Sequence, residues 1–418
     1  MAREMKDSGI EWIGSVPSEW TLGRIGQLYS ERKQKVSDTD YAPLSVTMKG
    51  ILPQLATAAK TDAHDDRKLV CKNDFAINSR SDRRGSCGIS RYDGSISLIN
   101  IVLTPRNNMN PTYYDWLFHS SMFSDEYYKW GHGIVDDLWT TGWQDMKRIT
   151  IPIPPLTEQH RIADFLDCKC AEIDRVLEKT RASIEEYKKL KQSVITQAVT
   201  KGVRGEREMK DSGIEWIGEI PASWDINVMF QLLKQVKSRN EGLIENNLLS
   251  LSYGKIKRKD IDTLGGLLPE SFDGYNIIEK NDIVIRLTDL QNDHKSLRVG
   301  LSPERGIITF AYVTVRNYSQ NLPEYLYYYL HSYDIAKGFY GMGAGVRQGL
   351  NWDGLKNLQI TIPSVSEQQE ICNYLDKKCS EIDTLISKKE QFITELESYK
   401  KSLIYEYVTG KKEAMNDL

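Results

Sequence analysis

The strongest constraint on this chain is a helix-patterned segment that it carries twice, at residues 158–200 and again at 367–409. Alternating steps of four and three through the first copy touch Leu166, Cys170, Ile173, Leu177, Thr180, Ile184, Tyr187, Lys191, Val194 and Ala198, which is a heptad seam. Adding 209 to each number gives Leu375, Cys379, Ile382, Ile386, Lys389, Ile393, Leu396, Lys400, Leu403 and Tyr407, so the apolar steps recur together with both polar interruptions. A stripe this narrow suits one partner helix better than a globular core. At about 1.5 Å per residue each copy runs roughly 65 Å. The nearest partner for each copy is the other, and the domain-sized insert between them makes an antiparallel pair the expected arrangement. Two unrelated long helices in a helical domain are the alternative, but they leave the coincidence of Thr180/Lys389 and Lys191/Lys400 unexplained.

The repeat is wider than the helix. The stretch REMKDSGIEWIGSVPSEW at 3–20 returns as REMKDSGIEWIGEIPASW at 207–224. Each half is therefore a lead-in motif, a variable segment and a long helix. The Gly and Pro of the motif read as a short turn followed by an extended stretch. Its tryptophans are expected to pack against the base of a domain or a helix end, because an exposed indole is costly.

Between these landmarks the two halves run in parallel. Short β-type runs around Ile77 and at 95–104 are matched by runs at 282–286 and 308–315, and helix-like segments at 112–120 and 324–332 follow them. Each half then reaches a Gly-rich, Trp-bearing loop, at 131–139 and 341–352, and a proline-marked strand, at 149–156 and 360–365. The long helices are expected to start at Thr157 and Ser366 as N-caps. Glu158 and Glu367 follow at the positive end of the dipole, and Ser366 with Gln369 completes a capping box whose first-copy counterpart is His160.

Composition narrows the function classes. With 418 residues, 40% hydrophobic and 27% charged, the chain has room for two or three domains with real cores. No run is apolar enough to span a membrane and the start lacks the apolar core of a signal peptide, so a cytoplasmic location is expected. The six cysteines include no C-x-x-C pair and read as buried free thiols, so zinc is not expected. Net charge is −3, with 17 Lys+Arg against 15 Asp+Glu over residues 21–150 and 16 against 15 over 225–360. DNA binding would therefore work through local clusters. Asn110-Pro111-Thr112-Tyr113 resembles a methyltransferase loop, but Leu322-Pro323-Glu324-Tyr325 keeps the frame without the asparagine, so both prolines read as helix starts. No phosphate loop, metal-ligand pair or nucleophile constellation is legible.

Two variable segments, each followed by a Pro-x-x-x-Glu-Gln helix start, together with the duplicated GIEWIG motif, resemble the specificity (S) subunit of type I restriction-modification systems. The likeness covers essentially the whole chain, with Ile162, Leu166, Asp167, Glu172 and Ile173 matched by Ile371, Leu375, Asp376, Glu381 and Ile382. It implies an α+β fold with two tandem target-recognition domains, whose long helices pair as an antiparallel coiled coil with pseudo-two-fold symmetry. The expected segments are the lead-in motif at 1–20, recognition domain 1 at 21–156, the first helix at 157–202, and a linker with the second lead-in copy at 203–224. Recognition domain 2 at 225–365, the second helix at 366–409 and a tail at 410–418 complete the chain.

The resemblance also implies a non-catalytic subunit. Each recognition domain would read half of a bipartite asymmetric DNA site, with the paired helices fixing the spacer. Two modification subunits would dock on it and methylate adenine N6 with S-adenosylmethionine, and restriction subunits would use ATP and Mg; this chain itself would bind no cofactor or metal. Partner contact would fall on Glu158, Gln159, Ile162, Glu367, Gln368 and Ile371. The rival readings are a coiled-coil adaptor without DNA and the targeting part of a single-chain modification enzyme.

Reading bases needs bidentate donors, and fixing register needs further phosphate contacts. In the first half the best cluster is Arg80, Arg83 and Arg84, followed by Arg91. In the second, Lys255, Lys257, Arg258 and Lys259 look like phosphate binders, followed by Arg286, Lys295 and Arg298. Arg347, Gln348 and Asn351 look like base readers or their supports, where the first half offers Asp136 and Asp137 instead. Arg83→Ala and Arg347→Ala are each expected to weaken binding to one half-site while assembly with the modification subunits survives. Anisotropy titrations with each half-site scrambled in turn check this, and unaltered affinity and discrimination would count against the assignment.

Overall fold

The computed structural model describes residues 3–54, 64–80, 83–106, 108–133, 139–260, 271–290, 292–293, 296–342 and 349–414. The chain forms two compact units, Met1–Arg181 with Glu390–Leu418, and Ala182–Lys389. The boundaries fall inside the two long helices, Leu156–Lys201 and Val365–Val408, so each unit holds one variable segment and a part of both helices. The segments read along the sequence are thus not the units in which the chain packs.

In the first unit, four antiparallel strands lie in the order Cys87–Ile89, Phe75–Asn78, Asn100–Pro105, Tyr29–Glu31. Against them pack the helices Pro111–His119 and Ser121–Lys129, whose Tyr113, Tyr114, Phe118 and Phe123 are fully buried with Tyr29 and Phe75. Strand Thr150–Ile153 pairs with Thr21–Arg24 and brings the chain to the first long helix. The run at 95–104 is two strands, not one: Gly94–Ser97 and Asn100–Pro105 are separated by a turn in which Asn100 Nδ2 donates to the Ser97 carbonyl at 3.0 Å.

The second unit repeats this topology. Its four-stranded sheet runs Val299–Leu301, Ile283–Ile285, Val313–Asn317, Leu233–Gln235, and strand Gln359–Ile362 pairs with Asp225–Val228. Helix Pro323–Ile335 buries Tyr325, Leu326 and Tyr329. Here too an expected single strand, at 308–315, is split. The Thr309 hydroxyl accepts from the Ala311 amide at 3.3 Å and turns the chain between Gly306–Ile308 and Val313–Asn317. Neither turn carries Gly or Pro, the usual sequence punctuation.

The duplicated lead-in is a hairpin rather than a turn and an extended stretch, with Met5–Asp7 paired to Ser15–Pro17 and Met209–Asp211 to Glu219–Pro221. It is clamped onto the start of the long helix in its own unit. In the first unit, Arg3 Nη1 meets Glu158 Oε1 at 2.5 Å and Trp20 Nε1 donates to Glu158 Oε2 at 2.7 Å, with Trp20 fully buried. The neighbouring Gln159 accepts from the Asn110 amide and donates to the Pro154 carbonyl, both at 2.8 Å. In the second unit, Arg207 Nη1 pairs with Glu367 Oε1 at 2.6 Å beside buried Trp224, and Gln368 bridges the Leu322 amide and the Pro363 carbonyl at 2.9 Å each.

The helix starts differ from expectation by a turn position. They begin at Leu156 and Val365, so Thr157 and Ser366 lie within the first turn and the expected capping box does not form. Pro155 offers its carbonyl to the amides of Glu158 and Gln159 at 2.9 and 3.0 Å, while the Ser364 hydroxyl accepts from the Glu367 amide at 3.3 Å. The first helix start is thus capped by a preceding backbone carbonyl and the second by the hydroxyl of Ser364, two positions before the expected cap.

The seam residues are buried or half-buried throughout both helices. In the first unit Asp174 meets Lys400 at 2.6 Å and Arg181 meets Glu397 at 2.5 Å, so one number rises as the other falls and the pairing is antiparallel. In the second unit Lys191 meets Asp383 at 2.7 Å, with Lys389 over the Tyr187 ring at 5.6 Å. Both lysine interruptions of the heptad thus face an aspartate that the sequence pattern alone had not singled out. The segment after the second helix is no loose tail as far as it is described: Lys411 Nζ donates to the Ile13 carbonyl at 2.6 Å and Ala414 is buried.

Glu158→Gln keeps the shape of the first clamp but leaves Arg3 without its main counter-charge, and is expected to destabilise the first unit by about 3 kcal/mol, the lower end for a buried pair with one partner removed. Adding Arg3→Met should recover part of the loss, because no orphaned charge then remains. Urea unfolding with hydrogen exchange read at the helix start checks this; equal losses in the single and double variants would show that the two groups are not coupled.

Candidate nucleic-acid interface

In the first unit the strand Phe75–Asn78 delivers the chain to the arginine turn, and a backbone hydrogen bond from Thr141 N to Ser79 O, at 2.9 Å, brings the Gly/Trp loop against it. Arg80 and His132 both bridge to Thr140. Two stretches distant in sequence therefore form one pocket. Ile77, Phe118 and Phe123 line it together with Arg80, Arg84, Tyr128 and Trp139. The Arg84 guanidinium lies 3.7 Å from the Tyr128 ring centre, and Nη1 donates to Asp125 at 3.3 Å. Arg80 and Arg83 are exposed, and the backbone of Arg83 closes the turn by donating to the Arg80 carbonyl and accepting from Ser86. Arg91 is exposed on another turn and its charge acts on Asp167 of the long helix, away from this pocket. Asp136 and Asp137 lie outside the described residues.

The second unit makes the same juxtaposition with different side chains. Leu350 N donates to Leu287 O at 3.0 Å, so the Gly-rich loop meets the segment that follows strand Ile283–Ile285. Lys295, Arg347 and Gln348 lie outside the described residues. Asn351 is a support here, its Oδ1 accepting from the Gly354 amide at 3.1 Å to cap a helical turn.

Arg298 is a correction to the sequence reading. It is fully buried, and its donors serve the carbonyls of Arg286, Thr288, Asp289 and Asp293 and the Tyr340 hydroxyl. It braces the loop from inside and has no donor left for DNA. Burial pushes the carboxyl of the adjacent Asp334 up to about 6, while the Arg298 amide, donating at 2.6 Å, pulls the other way. Arg286 is paired with Asp293, and Arg258 with Glu304, so each would have to exchange a carboxylate for DNA. Lys255, on the hairpin Leu249–Ser252 with Lys255–Arg258, stands 3.8 Å from Asp383 of the long helix, whereas Lys257 and Lys259 are exposed.

The six residues expected to meet partner subunits need the same correction. Glu158, Gln159, Ile162, Glu367, Gln368 and Ile371 are all at most 4% exposed. The charged and amide members are spent on the clamps and the two isoleucines on the cores, so they offer a partner no side-chain surface. The neighbouring Asp167 and Asp376 are also used internally, accepting from Trp116 Nε1 at 2.7 Å and the Tyr328 hydroxyl at 2.6 Å.

Sequence reasoning missed Tyr128 in the pocket, Asp125 beside Arg84, and Tyr340 in the second unit. The available signal was a repeat: Tyr340 stands as far from Tyr325 as Tyr128 does from Tyr113. Among the described residues no group of three or more His, Cys, Asp or Glu is placed to hold a metal ion, and no helix is long and apolar enough to cross a membrane.

Comparison with known proteins adds a family. The type I restriction modification DNA specificity domain matches residues 17–186 and 256–395. The type I restriction enzyme MjaVIII specificity subunit of Methanocaldococcus jannaschii is 25% identical over 434 aligned positions, covering 96% of this chain and 95% of the relative. The EcoBI specificity subunit of Escherichia coli is 22% identical over 289 positions, covering 63% of this chain and 58% of the relative. Among solved structures, a chain from work on the complex assembly and conformational transition of the type I R-M system superposes with a TM-score of 0.70 at 14% identity, covering 95% of this chain and 99% of that one. The HsdS subunit from Thermoanaerobacter tengcongensis gives a TM-score of 0.52 at 15% identity over 95% and 98%. At such identities these structures establish a shared fold.

Proposed function

The chain belongs to the type I restriction modification DNA specificity family, and from that membership we propose that each unit reads one half of a bipartite, asymmetric DNA site for partner subunits that act on it. The sequence-specific DNA role follows from the family; the division of labour is our reading. The observation that carries it is the twin backbone bond, Thr141 to Ser79 and Leu350 to Leu287, which sets the same two segments together in both units. The frame is repeated while the side chains on it change, from Arg80, Arg84 and Trp139 in one unit to Leu287, Leu350 and Asn351 in the other. A shared scaffold with divergent contact residues is what reading two different half-sites requires.

In this reading the chain carries no catalytic group. Two modification subunits methylate adenine N6 with S-adenosylmethionine, restriction subunits supply ATP- and Mg-dependent cleavage, and the long helices set the spacer between half-sites. The weak positive balance of each variable segment means that phosphate contacts are local, and affinity should fall with salt by only a few charges' worth. The adaptor alternative without DNA loses ground to the family match, whose model is that of a DNA specificity domain.

Genome-wide mapping of methylated adenine in the source organism tests the function directly, with a bipartite motif as the expected result. Deleting four residues from the middle of one long helix should then change the preferred spacer or abolish activity. An unchanged spacer with normal activity would contradict the role given to the helices.

A further inference from the structure

Arg84 has its guanidinium plane set before any ligand arrives. Tyr128 lies under it at 3.7 Å, and Asp125 holds Nη1 at 3.3 Å. Tyr128 is itself fixed: the Trp139 ring stands 5.7 Å from it, and Trp139 Nε1 donates to the Tyr128 carbonyl at 2.9 Å. Yet the Arg84 side chain remains 47% exposed. Stacking uses a face of the guanidinium, whereas its N–H donors lie in the plane, so the edge stays available for bonding.

We propose that Arg84 is the guanine-reading residue of the first unit, presenting its edge to O6 and N7 of one guanine in the major groove, with Tyr128 and Trp139 as its positioning platform. This rests on the DNA-reading function proposed above. Two observations favour a base over a phosphate. The Asp125 carboxylate beside Arg84 opposes a phosphate, which carries a full negative charge, more than the partial charges of a neutral base edge. The pocket that Arg84 helps to line also has Ile77, Phe118 and Phe123 on its wall and a volume of about 20 Å³, room for a thymine methyl beside the guanine and not for a phosphate.

The second unit sharpens the assignment by contrast. Tyr340 also carries an arginine, with Arg298 at 5.1 Å from its ring, but there the guanidinium is buried and every donor is engaged by the protein. The same aromatic position holds a brace in one unit and a reader in the other. Changing Arg84 therefore alters one half-site only.

The test uses the full chain with duplexes randomised in both half-sites, and counts the bound sequences for the wild type, Arg84→Lys and Tyr128→Leu. Wild type is expected to fix a guanine at one position; Arg84→Lys should lose that preference by about tenfold or more, because lysine cannot make the bidentate contact. Tyr128→Leu should relax the same position less, and add little on top of Arg84→Lys. Unchanged preferences at the remaining positions of the same half-site show that the first unit is folded in the variants. An identical guanine preference in Arg84→Lys overturns the proposal, as does uniform weakening over all sequences, the mark of a phosphate contact. Absence of any sequence selection by the wild type would instead overturn the DNA-reading function, and this assignment with it.

Discussion

A glutamate out of water at the start of a helix must be neutralised or removed, and both halves of this chain solve that problem in the same way. Glu158 and Glu367 sit where the helix dipole favours negative charge, but the dipole alone does not compensate the loss of hydration. Arg3 and Arg207 supply the counter-charge, and Trp20 and Trp224 seal the site. Because those partners come from the lead-in hairpin, a single interaction fixes the hairpin, the strand before the helix and the helix start relative to one another. The next residue, Gln159 or Gln368, extends the grip to the start of the helix that follows the sheet. The two clamps are not equally satisfied: Trp20 Nε1 donates to its glutamate, whereas Trp224 Nε1 is buried without a hydrogen-bond partner.

Along the helices the division of labour is between adhesion and register. The lysine–aspartate pairs are partly exposed, and pairs of that kind are worth about 0–1 kcal/mol, while each fully buried leucine or isoleucine contributes roughly 1.5–3 kcal/mol. The apolar seam therefore holds the helices together. The ion pairs act on alternatives: a slip by one heptad in one direction sets Lys400 against Arg181, and in the other sets the two lysines against Asp167 and Asp376, which Trp116 and Tyr328 already hold. Asp174 and Asp383 are related by the same repeat as the lysines they face, so the device is duplicated along with the rest of the half.

At the candidate interface, legibility depended on what kind of property was being read. The arginine turn and the Gly/Trp loop were both visible in the sequence as turn-rich and polar, and the structure brings them to one pocket in the first unit. Which arginine is a reader was not visible. Arg84 and Arg298 look alike as residue types in loops, yet one is half exposed on a tyrosine and the other is enclosed by carbonyls. The Glu-Gln pairs misled in the opposite direction. The family resemblance implies partner contact there, whereas their recurrence in both halves is the mark of an internal clamp that both need.

The sequence by itself determined the duplication, the heptad seam and the α+β order of each half, because these are set by periodicity and by local turn chemistry; the antiparallel sense was an expectation that the cross-helix ion pairs bear out. It also carried the family likeness over nearly the whole length. Only the tertiary structure decided where the compact units divide, which groups cap the two helix starts, and whether each polar group is spent inside or left for a ligand. Those outcomes depend on atoms brought together from distant parts of the chain: a carboxylate's meaning changes when an arginine from another motif reaches it, and an arginine's when backbone carbonyls close around it. Local pattern fixes which groups are present, and long-range packing fixes which of them remain available.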